Sequence, residues 1–210
     1  MDVICPLCAS LKNRPYADGR YLNCENCHGL FLPTQYLPKS EEEKKRYDLH
    51  TSTSEGAGYH DYIKPLIHAI LRCENMREKC LDFGSGPNSV LSSTLEKAGF
   101  SVCHYDPFYH DDLTVLQQQY NFIVACEVVE HFHFPRREFN RLSQTLLKPK
   151  GRLYIMTQTF SGSEDDFRNW HYRRDITHVF IYRNETMQWI LQHFSFKELS
   201  AEGRVFVFNK

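Results

Sequence analysis

The sequence predicts an α/β fold: an open, doubly wound, mostly parallel sheet with a terminal antiparallel hairpin, preceded by a small N-terminal ribbon built on cysteines. Three observations predict it. Beyond Lys79, short apolar runs alternate with stretches of helical periodicity. The first of these runs, Lys79-Cys80-Leu81-Asp82-Phe83, passes straight into a glycine turn, Gly84-Ser85-Gly86-Pro87-Asn88. Ahead of both, Cys5, Cys8, Cys24 and Cys27 form a C-x2-C-x15-C-x2-C pattern.

Composition bounds the function before any motif is weighed. A chain of 210 residues can bury a real core. Its formal net charge of -1 leaves no global field to hold a polyanion. No apolar run reaches the roughly 18 residues of a membrane span, so no membrane partner is expected. Met1-Asp2-Val3-Ile4-Cys5 lacks the basic and apolar regions of a signal peptide. Cys73, Cys80, Cys103 and Cys126 are scattered, which fits free thiols in a reducing cytoplasm better than a disulfide framework. The oligomeric state is not legible.

Residues 1–33 read as a zinc ribbon. Zinc prefers four tetrahedral ligands, and two Cys-x-x-Cys turns supply them in pairs. Between the pairs, Pro15, Asp18-Gly19 and Arg20-Tyr21-Leu22 give the turn and the extended aromatic segment that a linking hairpin needs. His28 is an alternative to Cys27, although the all-cysteine set is cleaner. Neither pair opens a helix in a βαβ setting, which disfavours a redox role. With four sulfurs around it the Zn2+ has no open position, so the expected site is structural. Gly29 to Pro33 closes the ribbon against its neighbour.

Residues 34–60 read as linker and loop, with Glu41 to Asp48 an exposed charged helix or linker and Thr51 to Gly58 a mobile loop. Residues 61–210 form the main domain. A helix is expected to begin near Pro65, carrying Leu66, Ile67, Ile70 and Leu71. After the Lys79–Phe83 strand, Ser89 to Ala98 reads as a helix with Gly99 as its stop. Ser101 to Tyr105 is the next strand, ended by Asp106-Pro107, and Phe122 to Cys126 the one after it. Glu138 to Leu147 reads as a helix, and Arg152 to Thr157 as a strand behind the Pro149-Lys150-Gly151 turn. Asn184 caps a helix through His193, and Phe196 to Leu199 with Val205 to Phe208 make the terminal hairpin.

In such sheets ligands lie at the carboxyl ends of the strands. Gly84 and Gly86 remove side chains where a cofactor approaches the backbone, and Asp106 stands where an acidic group meets ribose hydroxyls. Alone, Asp-x-Gly-x-Gly would also suit a dinucleotide. Pro87-Asn88, however, occupies the place of the third glycine, and the Phe122 strand runs into Glu127-Val128-Val129-Glu130-His131-Phe132.

On these residues the chain resembles the class I S-adenosylmethionine-dependent methyltransferases, whose fold is Rossmann-like. Leu81 to Pro87 looks like their first motif and Tyr105-Asp106-Pro107 like the ribose-acid motif. Phe122 to Phe132 looks like the fourth-strand motif, and Leu146 to Leu153 like the helix-turn-strand that follows. The resemblance spans roughly residues 60 to 208. It implies S-adenosylmethionine as cofactor, held by Asp82, Gly84, Ser85, Gly86, Asp106, Pro107, Cys126 and Glu127. It also implies that Pro107, Phe108 or Leu113 flanks the adenine. One departure stands out: only Pro107 to Asn121 separates two strands where the family fits a helix, a strand and a helix. The third strand is expected to be short or missing.

Glu127, Glu130 and His131 are spaced to share one face if a helix starts at the strand end. His131 or Glu130 is then a candidate general base. The Glu-x-x-Glu-His tract with the later His178 is similar to the divalent-metal site of small-RNA 2′-O-methyltransferases. The tract alone resembles ubiquinone-pathway O-methyltransferases as well. That similarity implies a catalytic Mg2+, Mn2+ or like ion at Glu127, Glu130, His131 and His178. A helix start with no chemistry is the bland alternative. Tyr172 and Arg174, in the aromatic and charged stretch Trp170 to Tyr182, are the substrate-side candidates.

The function expected is methyl transfer to a small-molecule hydroxyl. An RNA methyltransferase gripping its substrate with the ribbon is the alternative, but Lys12, Arg14 and Arg20 beside Asp18 and Glu25 make a poor footprint for RNA. A non-catalytic cofactor-binding protein is the third reading, against which the intact Asp82, Gly84, Gly86 and Asp106 set counts.

Overall fold

A computed structural model describes residues 3–54 and 57–210. At the N-terminus, β1 (Asn13–Tyr16) and β2 (Tyr21–Cys24) pair antiparallel across a turn in which Ala17 and Gly19 take positive φ. β3 (Leu30–Phe31) joins β2. The fourth strand of this sheet comes from the far end of the chain: β8 (Phe180–Ile181) pairs with β3 in the register Leu30↔Ile181 and Phe31↔Phe180. The cysteine ribbon is therefore completed by the main domain, and Cys5, Leu7, Cys24, Cys27 and Phe31 share one apolar core with Phe139, Phe180 and Tyr182.

Two helices follow, α1 (Ser40–Ser54) and α2 (Ala57–Cys73). The charged run at Glu41 to Asp48 is thus helical. So are the Thr51 to Ser54 part of the expected loop and its end at Ala57 and Gly58, whereas Glu55 and Gly56 lie outside the described residues. α2 does not begin near Pro65; Pro65 is inside it. Ile63, Leu66, Ile67 and Ile70 are buried on one stripe, and Tyr59 and Tyr62 pack against the same cluster one turn earlier. Continuous burial on both sides of the proline outweighs the hydrogen bond that proline removes.

The main sheet has six strands in the order β5-β4-β6-β7-β10-β9. β4 (Lys79–Phe83), β5 (Ser101–Tyr105), β6 (Tyr120–Cys126) and β7 (Leu147–Met156) are parallel. β9 (Glu198–Glu202) and β10 (Val205–Asn209) close it as an antiparallel pair. Period-two alternation sends side chains to two cores. Ile123, Ala125, Leu153 and Ile155 face the core shared with the ribbon, while Phe122, Val124, Tyr154 and Met156 face the one under α2 and α3 (Val90–Lys97). Between β5 and β6 the described residues hold a single short 3-10 turn, Leu113–Gln117, and no strand, so the family's third strand is missing here, in line with the short spacing, and β5 is a sheet edge.

The helix expected from Glu138 starts three residues earlier. α4 (Pro135–Asn140) has Pro135 at its first position, where a proline costs no backbone bond, and continues through a wider π-type stretch, Arg141–Leu146. α5 (Glu164–Asn169) carries a Ser163–Asp166 capping box, and α6 (Asn184–His193) packs Met187 and Ile190 into the core. No helix among the described residues is long and apolar enough to cross a membrane.

The seam between β3 and β8 is tight enough to test. A Cβ added to Gly29 would stand 2.3 Å from the Phe180 ring. Gly29→Ala should destabilise the protein by about 1–3 kcal/mol, as overpacking of a filled core does, read as a lowered urea midpoint. An unchanged midpoint would mean that the ribbon does not dock on β8.

Candidate active site

The carboxyl ends of β4, β5 and β6 open on one cavity of about 880 Å³, within the upper range of small-molecule sites. β4 delivers the glycine turn. Gly84 has φ +82, and the place of its missing Cβ is taken by the Val128 side chain at 2.5 Å, so Gly84 serves packing as much as ligand approach. Gly86 has φ +63 with nothing within 4 Å of an added Cβ, and it lines the cavity. Behind the turn, Asp82 is buried and accepts from Ser89 Oγ (2.5 Å) and Ser92 Oγ (2.6 Å). Ser89 in turn caps α3 by accepting from Ser92 N. Asp82 thereby ties the helix to its strand; burial raises its carboxyl pKa, which the two hydroxyls counteract.

Asp106 ends β5. Its Oδ2 accepts from Gly86 N (2.9 Å), and its Oδ1 from Phe108 N (2.8 Å) and Tyr109 N (3.2 Å). The carboxylate is therefore locked against the glycine turn, with lone-pair capacity left toward the cavity it lines.

At the end of β6 the chain breaks direction. Glu127 has φ 53, and a single 3-10 turn, Val129–His131, follows. The expected helical face for Glu127, Glu130 and His131 is therefore not formed, because the left-handed residue separates Glu127 from the other two. Glu127 lines the cavity, and its Oε1 is buried without a hydrogen-bond partner among the described residues. Glu130 lies behind Tyr172 and does not line the cavity. Its Oε1 accepts from Tyr172 Oη (2.5 Å) and its Oε2 from Thr157 Oγ1 (3.0 Å). Tyr172 Oη also stands 3.3 Å from Glu127 Oε2. Burial raises the pKa of both carboxyls, and burial beside two acids raises the Tyr172 phenol well above its usual value.

Glu130, His131 and His178 come together, with ligand atoms all within 4.8 Å of one another. Glu127, expected as a fourth member, falls outside this group. His131 Nδ1 lies 2.8 Å from Thr177 O, and His178 Nδ1 lies 2.6 Å from Tyr172 O. A carbonyl can only accept, so both rings carry a proton on Nδ1, and a neutral ring then has its lone pair on Nε2. Burial lowers the His131 pKa and favours the neutral ring.

Asp82, Gly84, Ser85, Gly86, Asp106, Pro107, Cys126, Glu127, His131, Tyr172, Arg174 and His178 all line the cavity. Phe108 lines it too, whereas Leu113 is 57% exposed on the surface turn and does not. Sequence reasoning allowed a helix at α1 but missed its place at the site, where it brings Glu43, Arg46 and Tyr47 to the cavity. Arg46 Nε donates to Asp175 Oδ2 (2.9 Å), Glu43 Oε1 meets His133 Nε2 (2.9 Å), and Tyr47 packs edge-on to Phe108 and His131. The available signal was the i, i+3, i+4 spacing of these three residues within an otherwise solvated run. Tyr59 and Tyr62 of α2 were missed as well.

In the ribbon, the four thiols of Cys5, Cys8, Cys24 and Cys27 lie within 4.8 Å of one another, with Sγ–Sγ separations of 3.6 Å (Cys5–Cys27) and 3.3 Å (Cys8–Cys24). Tetrahedral zinc with Zn–S near 2.3 Å requires edges of about 3.8 Å.

Comparison with known proteins places this geometry. No curated protein matches the chain. Among solved structures, an S-adenosylmethionine-dependent methyltransferase from Archaeoglobus fulgidus superposes with a TM-score of 0.58 at 15% identity, covering 78% of this chain and 99% of that one. The 1,6-didemethyltoxoflavin-N1-methyltransferase of Burkholderia thailandensis, solved with 1,6-didemethyltoxoflavin and S-adenosylhomocysteine, gives 0.56 at 13% identity over 95% and 99%. An O-methyltransferase family protein from the same species gives 0.49 at 12% identity over 70% of this chain, which spans 55% of that protein. The first two likenesses establish the fold. A family model described as a methyltransferase domain matches residues 57–201, and on that match the chain belongs to the methyltransferase-domain family.

Proposed function

We propose that the protein transfers a methyl group from S-adenosylmethionine to a hydroxyl of a small molecule, and that its ribbon holds a structural zinc. One observation carries the reading: a single cavity at the tips of β4, β5 and β6 gathers Gly86, Asp106, Glu127, His131 and His178. The residues fit the cofactor. Gly86 leaves open the space a side chain would fill, Asp106 presents a fixed carboxylate to ribose hydroxyls, and the unpartnered Glu127 oxygen suits an ammonium group. Bound there, the cofactor supplies an electrophilic methyl for in-line displacement, and the protein's share is alignment.

On the acceptor side, the neutral His131 ring has its lone pair on Nε2, and His178 stands beside it, with the ligand atoms of the two rings and Glu130 within 4.8 Å of one another. The proton leaving a hydroxyl can pass to one of them, or a divalent cation between them and Glu130 can acidify the hydroxyl. Carbonyl-anchored imidazoles beside a hydrogen-bonded carboxylate are what a cation site requires of its surroundings. Glu130, out of contact with the cavity, acts in this scheme through the ion or through Tyr172. The small-molecule reading is favoured over RNA because the ribbon's β3 edge is spent on β8 rather than left for a ligand.

Two measurements test this. S-adenosylhomocysteine should bind by calorimetry, and Asp106→Ala should weaken it ~10- to 100-fold, the range for losing a charged hydrogen-bond partner. No heat and no thermal shift in the parent would sink the cofactor reading. Elemental analysis should find one zinc per chain, lost together with thermal stability in Cys5→Ser; a metal-free folded ribbon would refute the zinc assignment.

A further inference from the structure

We propose that the cysteine ribbon braces the candidate active site and that Tyr21 is a positioning residue for the His178 imidazole. The inference rests on the reading that Glu130, His131 and His178 act together, and adds to it the element that holds the third member in place.

The peptide unit joining His178 to Val179 is bonded at both ends. Its carbonyl, that of His178, accepts a buried hydrogen bond from the Tyr21 hydroxyl (2.7 Å). Its N–H, that of Val179, donates to Glu130 O (2.9 Å). A peptide unit is planar, so fixing both ends fixes the orientation of the plane and with it the Cα from which the His178 side chain leaves. The ribbon grips the same point again on its other side, where Leu32 N donates to Val179 O (2.9 Å) and Phe31 and Leu30 pair with Phe180 and Ile181. The imidazole itself is held by Tyr172 O.

Tyr21 is a rigid origin for this bond. Its side chain is buried, packs edge-on to Phe167 with ring centroids 5.2 Å apart, and lies under the Arg173 guanidinium, which pairs with Asp18 of the same hairpin. β2 carries Tyr21 at one end and Cys24 at the other. Whatever holds the four thiols therefore holds the strand from which the hydroxyl projects. The ribbon and the acceptor side of the cavity share one mechanical link, and the site should register the ribbon's metal content.

The test is Tyr21→Phe in the full chain, which removes one hydroxyl and keeps the ring. Tyr16→Phe, in the same aromatic cluster, is the control. Zinc content and S-adenosylhomocysteine affinity should match the parent in both. In Tyr21→Phe the His178 imidazole 15N signals, assigned with His178→Gln, should shift or broaden. Mn2+ affinity, measured by electron paramagnetic resonance, should fall about tenfold, the lower range for losing an outer support of a metal ligand. The control should change neither. Unchanged His178 signals and unchanged Mn2+ affinity in Tyr21→Phe would overturn the brace. If the parent takes up no Mn2+, the cation reading of the site fails, and the His178 signals alone decide the brace. Should Tyr21→Phe be too unstable to label, hydrogen exchange of the parent decides. The Val179 amide should gain protection together with that of Leu32 as zinc is added to the zinc-free protein, and protection of Val179 indifferent to zinc would overturn the proposal.

Discussion

The buried carboxylate of Glu130 organises the part of this molecule proposed to receive the acceptor. It is 1% exposed, and the hydrogen bonds it accepts come from Tyr172 and Thr157, with no Lys or Arg among its described ion pairs. A carboxyl group removed from water must be satisfied by hydrogen bonds or give up its charge, and the Glu130 side chain does some of each. Its backbone carbonyl takes the Val179 amide. One residue at the tip of β6 therefore fixes the end of β7, the aromatic segment around Tyr172, and the entry to β8. Loss of any one of these partners would leave a polar group stranded, so the three segments are held together more strictly than apolar packing alone would hold them.

The part proposed for the cofactor is built differently. There the backbone does the positioning: the glycine turn at Gly84 and Gly86 is pinned by Val128 on one side and by the Asp106 carboxylate on the other. α1 lies over both parts, reaching the first through Arg46 and Asp175 and the second through Tyr47 and Phe108. Its polar character follows from this place, since a helix that covers a cavity rather than a core has few apolar contacts to make.

Much of this was legible in the sequence, for reasons particular to each element. The strands at Lys79, Ser101 and Phe122 are short apolar runs between turn residues, and the cysteine spacing is specific enough to name a ribbon. The absent third strand could be counted from the few residues between Asp106 and Asn121. What escaped depended on tertiary context. Pro65 suggested a helix start because local propensity cannot see that Ile63 is buried and that Tyr59 packs against the same core. The helical spacing of Glu127, Glu130 and His131 failed because nothing in that tract announces a left-handed residue at Glu127. β8 is two residues long, and its pairing with β3 crosses nearly the whole chain. The roles of Tyr172 and Tyr21 were likewise hidden, because their hydroxyls act on groups far away in sequence.

That long-range seam has a bearing on how the protein is made. The cysteines leave the ribosome well before β8, the strand that finishes their sheet. Contacts so distant along the chain are slow to form, and an early ribbon would present β3 as an open edge in the interval. A nascent chain that captured the proposed zinc promptly would meet β8 with that edge already shaped to receive it.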